Sequence, residues 1–155
     1  MTRSPLEVEV LVDPQVPMPD GFSELAVERV VKAVLDAEGA LGTWDVSIVF
    51  AGDDELQRLH RDYLNDDTLT DIMTFPHEAD DSWFDAATQA ATSGGDIAIS
   101  VDRAEEQRAD EGWDTTSELL FLVAHGMLHL LGWDDATPVS RAAMLDRQRE
   151  ILKSL

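Results

Sequence analysis

Leu6-Glu7-Val8-Glu9-Val10 alternates apolar and acidic residues and runs on into Leu11-Val12. That is the period of a strand with one covered face. Asp13-Pro14 stops it, and residues 17–21 form a loop. From Phe22 the period changes. Phe22, Leu25, Ala26, Val30, Ala33 and Val34 recur at three and four, which predicts an amphipathic helix ending near Glu38-Gly39. Residues 46–50 predict a second strand. Asp53 is expected to cap a helix that runs through Leu56 and Leu59 to about Tyr63. Residues 70–75 read as a third strand ended by Pro76, and residues 96–100, after Gly94-Gly95, as a fourth.

Residues 79–93 carry acids, alanines and threonines without a period. They read as a mobile loop, with a lid over a site as the functional alternative. A mostly polar helix is expected over 101–111. Thr115 followed by Glu118 has capping-box spacing and opens a helix whose residues 119–124 are apolar nearly all round, so it should be buried. Thr137-Pro138 starts a last helix through Ala142, Ala143 and Leu145 to Leu152. The order is βαβα, two strands, then three helices. It predicts an α+β fold, a four-stranded mixed sheet packed with about five helices.

Composition narrows this further. At 155 residues with 44% apolar content, one domain over 1–155 with a real core is expected. There are no cysteines, which removes disulfide frameworks and cysteine zinc ribbons. The first residues lack a long apolar segment, so no signal peptide is expected. No run approaches the roughly 18 apolar residues of a membrane helix. The cytoplasm is the default location. Thirty-two acids against eleven bases give a formal charge of -21, and only Lys32 and Lys153 are lysines. Such a surface repels nucleic acid and membranes at low salt. Dispersed along the chain and poor in lysine, it fits a protein of a salt-loaded cytoplasm, where at about 1 M salt the Debye length is only about 3 Å. The plainer reading is an ordinary acidic cytosolic protein.

The chemistry is concentrated in one stretch, His125-Gly126-Met127-Leu128-His129-Leu130-Leu131-Gly132-Trp133-Asp134-Asp135. Histidines four apart share one helix face. Gly132 suits a left-handed helix end. The chain can then bring Asp135 back to the two imidazoles. The layout H-x3-H-x2-G-x2-D is that of a three-ligand zinc hydrolase site with its fourth position open. His125, His129 and Asp135 are therefore the candidate metal ligands for one Zn2+. Asp134 competes for the third place, or serves as a turn residue. The bland reading is two core histidines bonded to carbonyls, but a buried apolar helix gains nothing from adjacent imidazoles left unsatisfied. Zinc peptidases carry a glutamate base after the first histidine. Gly126 stands there instead, which argues against peptide hydrolysis.

These residues resemble the H-G-x-L-H-L-x-G-[aromatic]-D signature of the YbeY-type endoribonucleases, also described as rRNA maturation factors. Thr70-Asp71-Ile72-Met73-Thr74-Phe75-Pro76 and Gly95-Asp96-Ile97-Ala98-Ile99-Ser100 resemble two further strands of that family. The resemblance implies a zincin-like fold with a metal site at the end of a buried helix, and a single zinc. It implies a metal-dependent, single-strand-specific RNase that acts in 16S rRNA 3′-end maturation and ribosome quality control, with rRNA and the small ribosomal subunit as partners.

Two departures stand out. The family's third ligand is usually histidine, where this chain has Asp135, still an acceptable zinc ligand. Most members have arginine after the tyrosine at position 63, where this chain has Leu64. One branch of the family carries leucine and aspartate together, so the two departures read as linked. His60 and His77 either line the same groove or are ordinary surface residues. Asp71 and Asp96, at strand ends expected to flank the site, either support an imidazole or the attacking water, or bond backbone amides. No general base is assigned. Two competing readings remain: a ribosome-assembly binding factor with a structural metal, and a metallohydrolase of another substrate.

Overall fold

The structure, a computed structural model, describes residues 6–77 and 93–155. The loop or lid expected over 79–93 lies outside the described residues, save Ser93. The elements follow the expected order: β1 (Leu6–Val12), α1 (Glu24–Ala37), β2 (Trp44–Ala51), α2 (Asp53–Leu64), β3 (Ile72–Pro76), β4 (Ser93–Ser100), α3 (Val101–Glu111), α4 (Thr115–Leu130) and α5 (Pro138–Lys153). The sheet order is β1-β2-β4-β3. β1 and β4 each pair parallel with β2, with Val8 opposite Val46 and Ile48 opposite Ile97. β3 closes the edge antiparallel to β4, with Ile72 opposite Ile99. This is the mixed α+β sheet that the sequence predicts. Among the described residues no helix is long and apolar enough to cross a membrane.

Alternation along the strands divides the molecule into two layers. Ile48, Phe50, Ile97 and Ile99 face α1 and α4 in the main core, which α5 completes with Met144 and Ile151. On the other sheet face Leu56 of α2 packs with Ala51, Met73 and Ala98. In α1 the buried stripe is Val27, Val30, Val31 and Val34. Leu25, assigned to that stripe by spacing, is exposed.

Two expected caps are replaced by neighbours. Asp53 does not cap α2, whose N-cap is Gly52. Its carboxylate instead accepts from Ser100 Oγ at 2.7 Å and Arg103 Nε at 3.1 Å, tying α2 to the β4–α3 junction. Thr115 does not cap α4. Asp114 does, accepting from Ser117 N at 2.8 Å, while Glu118 accepts from Trp113 Nε1 at 2.8 Å.

The helix that carries both histidines lies unusually close to the sheet. A Cβ at Gly126 would stand 3.0 Å from Ile97 Cδ1 and Cγ2 and 3.1 Å from Ile72 Cδ1. On the sheet side, a Cβ at Gly95 would stand 2.6 Å from Leu130 Cδ2 and 2.7 Å from the Phe75 carbonyl oxygen. Glycine on both sides of the contact lets α4 settle onto β3 and β4. That seats Gly126 over Ile72 at the start of β3 and Leu130, at the end of α4, over Gly95 and Phe75.

Candidate metal centre

His125 and His129 stand one turn apart near the C-terminal end of α4, a mostly buried helix. The helix closes at Leu131, and Gly132 follows with φ 101°, the left-handed conformation expected there. The chain doubles back, and Asp135 returns to the histidines. Asp134 turns away, its Oδ1 accepting from Ala136 N at 3.1 Å as a turn residue does.

Three donor atoms converge. His125 Nε2 lies 3.0 Å from His129 Nε2. Asp135 Oδ2 lies 3.3 Å from His125 Nε2 and 3.6 Å from His129 Nε2. Tetrahedral ligands at about 2.0–2.1 Å from zinc stand about 3.3 Å apart, so the triangle has the size of one tetrahedral face. Among the described residues no other group of three His, Asp or Glu donors closes in this way.

The far side of each imidazole is also fixed. His125 Nδ1 donates to Gln148 Oε1 at 2.8 Å. Gln148 is fully buried on α5, and its Nε2 donates to the Phe121 carbonyl at 3.1 Å. His129 Nδ1 donates to the Trp133 carbonyl at 3.0 Å. These acceptors put each proton on Nδ1 and leave each Nε2 lone pair aimed at the shared point. Burial holds His125 below the ordinary histidine range, and the bond to Gln148 opposes that shift. The neutral, metal-binding form of His125 is thereby favoured.

The Trp133 turn is held in its own way. Its indole Nε1 donates to Glu38 Oε1 at the end of α1. Arg147 of α5 donates from Nε to the other oxygen of Glu38 at 2.9 Å, and from Nη2 to the Ala37 carbonyl at 2.9 Å. One carboxylate thus joins α1, the turn that leads to Asp135, and α5.

The donors sit in the wall of a cavity of about 550 Å³ between β3, α3, α4 and α5. Asp71, Asp110, Glu118 and Arg141 line it with them. Of the two strand-end aspartates, Asp71 reaches this cavity and Asp96 does not. Asp96 shares the other sheet face with Tyr63 and Phe75, and its Oδ1 lies 3.5 Å from His77 Nε2. The expectation that both flank the site fails for Asp96 because Ile97 and Ile99 face α4, which turns Asp96 the other way. His60 bonds the Thr68 carbonyl through Nδ1 at 2.9 Å, and neither it nor His77 lines the cavity. No residue of α2, Leu64 included, lines it either. Sequence reasoning missed Gln148. Its signal was a polar residue in the buried row Met144, Gln148, Ile151 of α5.

Comparison with known proteins adds to this geometry. A chain from Roseiflexus sp. (strain RS-1) named Endoribonuclease YbeY is 38% identical over 156 residues, covering 100% of this chain and 96% of that one. Its namesake from Chloroflexus aurantiacus (strain ATCC 29366 / DSM 635 / J-10-fl) is 42% identical over 134 residues, 86% of each chain. The solution structure of TM1509 from Thermotoga maritima matches with a TM-score of 0.58 at 21% identity, covering 95% of this chain and 87% of that one. That likeness speaks for the fold. The family described as Endoribonuclease YbeY matches residues 15–155. With that match, and with relatives so similar along nearly their whole length, the chain belongs to the endoribonuclease YbeY family.

Proposed function

We propose that this protein is a zinc-dependent, single-strand-specific endoribonuclease that acts in 16S rRNA 3′-end maturation and ribosome quality control. Its location in this reading is the cytoplasm and its partner the small ribosomal subunit. One observation carries the reading: three donor atoms 3.0 to 3.6 Å apart at the wall of an open cavity, in a chain of an endoribonuclease family. His125, His129 and Asp135 are the proposed holders of one Zn2+. When bound, zinc lowers the pKa of water towards 7 and stabilises charge on a phosphoryl oxygen.

The chain's own residues prepare the rest. Gln148 and the Trp133 carbonyl hold the Nδ1 protons, so neither imidazole can rotate away. Asp135 contributes one negative charge, leaving a zinc site of net positive charge opposite a phosphodiester. Asp71 is the strand-end carboxylate that lines the same cavity. A Cβ at Gly126 would stand 3.0 to 3.1 Å from Ile97 and Ile72, closer than van der Waals contact, so the peptidase base position has no room for a glutamate side chain. Peptide hydrolysis is accordingly the weaker reading.

Purified protein given a single-stranded RNA that spans the 16S 3′ end should cut it, and chelation or His129→Ala should abolish the cut. Equal cleavage by wild type and His129→Ala would overturn the proposal. The acids around the cavity favour one other reading, an assembly factor with a structural metal. That reading predicts that His125→Ala still binds small-subunit particles and still supports growth.

A further inference from the structure

We infer that Arg141 is the phosphate-binding residue of this site, taking the non-bridging oxygens of the RNA phosphodiester beside His125, His129 and Asp135. The inference rests on the endoribonuclease reading above.

A nuclease must bring a polyanion to its donors, and this chain carries a formal charge of -21. The cavity repeats the problem locally, because Asp71, Asp110, Glu118 and Asp135 all line it. Among the described residues that line it, Arg141 carries the only guanidinium or ammonium group. Its Nη1 lies 3.9 Å from Asp135 Oδ2, the same oxygen that faces both Nε2 atoms. A phosphate with one oxygen near the donor cluster therefore has another within reach of the guanidinium, whose planar fork suits two phosphate oxygens at once.

The setting of Arg141 differs from that of the arginines that build the fold. Arg147 is 22% exposed and bound to Glu38, and Arg103 is 27% exposed and bound to Asp53. The Arg141 side chain is 62% exposed, and its distance to Asp135 exceeds a hydrogen bond. Its backbone is nonetheless fixed. It stands in the first turn of α5, where Thr137 and Ser140 form a capping box and Arg141 N donates to the Thr137 carbonyl at 2.8 Å. Arg141, Leu145 and Gln148 lie at i, i+4 and i+7 and share the cavity face. One face of α5 thus carries both the anchor of His125 and a cation held only by a 3.9 Å ion pair to Asp135.

The test compares wild type, Arg141→Ala and Arg141→Lys, each zinc-loaded, with His129→Ala as control. Cleavage of single-stranded RNA should fall about 10- to 100-fold in kcat/KM for Arg141→Ala, and less for Arg141→Lys. Zinc content should be unchanged. Stopped-flow anisotropy of labelled RNA, read before cleavage, should show weaker binding, with the slope of log affinity against log salt shallower by about 0.7. Added guanidinium ion should restore part of the Arg141→Ala activity. If Arg141→Ala cleaves and binds like wild type while His129→Ala is inactive, the inference fails and the nuclease reading stands. If Arg141→Ala loses zinc, or keeps the wild-type salt slope, Arg141 serves Asp135 and not the phosphate. If His129→Ala cleaves like wild type, both readings fall.

Discussion

Replacing Gln148 with methionine keeps the length of the side chain and removes the oxygen that receives the His125 Nδ1 proton. The His125 side chain is 12% exposed, so water cannot readily take over as acceptor. An unsatisfied buried donor costs about 1–3 kcal/mol. Metal-free protein has an escape. The proton can move to Nε2, where Asp135 Oδ2 at 3.3 Å accepts it. Metal binding forces the proton back to Nδ1, so most of the cost falls on the metal-bound state. At about 1.4 kcal/mol per decade, zinc affinity should weaken by about 10- to 100-fold. The metal-free fold should lose less, about 1 kcal/mol, because the Phe121 carbonyl that Gln148 Nε2 also serves keeps its helical partner in α4. Competition with a chromophoric chelator measures the first quantity, and urea unfolding of stripped protein the second. A zinc Kd within about twofold of wild type would refute the tautomer account and reduce Gln148 to core filler.

Three further outcomes follow from other contacts. Gly126→Ala gains about 1 kcal/mol of helix propensity but pushes a methyl against Ile97 and Ile72, an overpacking cost of about 1–3 kcal/mol. Urea unfolding should show a net loss, and a stabilised variant would mean that α4 stands further from the sheet. Asp114→Ala removes the α4 cap. Hydrogen bonds from Ser117 hold the Asp114 carboxyl below the ordinary aspartate range. A depressed carboxyl stabilises above its unfolded pKa of about 4 and loses that contribution as pH falls through the folded value. The variant should therefore be less stable than wild type at neutral pH and converge with it in acid. A gap that persists at pH 2 would assign the loss to something other than charge. Finally, the dispersed charge of -21 predicts a melting temperature that climbs from low salt to multimolar KCl, and a flat profile would dismiss the salt-adapted reading.

Strands and helices were readable because each carries one period over a full buried face. The ends were less so. At Asp53 and Thr115 the local cap rules competed with a tertiary partner or with a better neighbour, and lost. The donor triangle was readable because His125, His129 and Asp135 sit within eleven residues, where helix pitch and one glycine turn decide the geometry. Asp96 was misplaced although strand parity, counted from Ile97, already turned it away from α4. Gln148 and Arg141 come to the site through the packing of α5 on α4. No sequence spacing encodes that crossing.

The clamp at Glu38 makes the donor triangle conditional on long-range assembly. An isolated α4 would already hold two imidazoles one turn apart. Their Nδ1 protons, however, are fixed by Gln148, 23 residues after His125, and by a turn tied to a carboxylate 95 residues before it. A nascent chain that has not yet released α5, or a chain with α5 detached, carries the two histidines without their orientation. Under the proposed function, metal loading would then mark the completed fold, and an incompletely folded copy would stay inert towards the RNA around it.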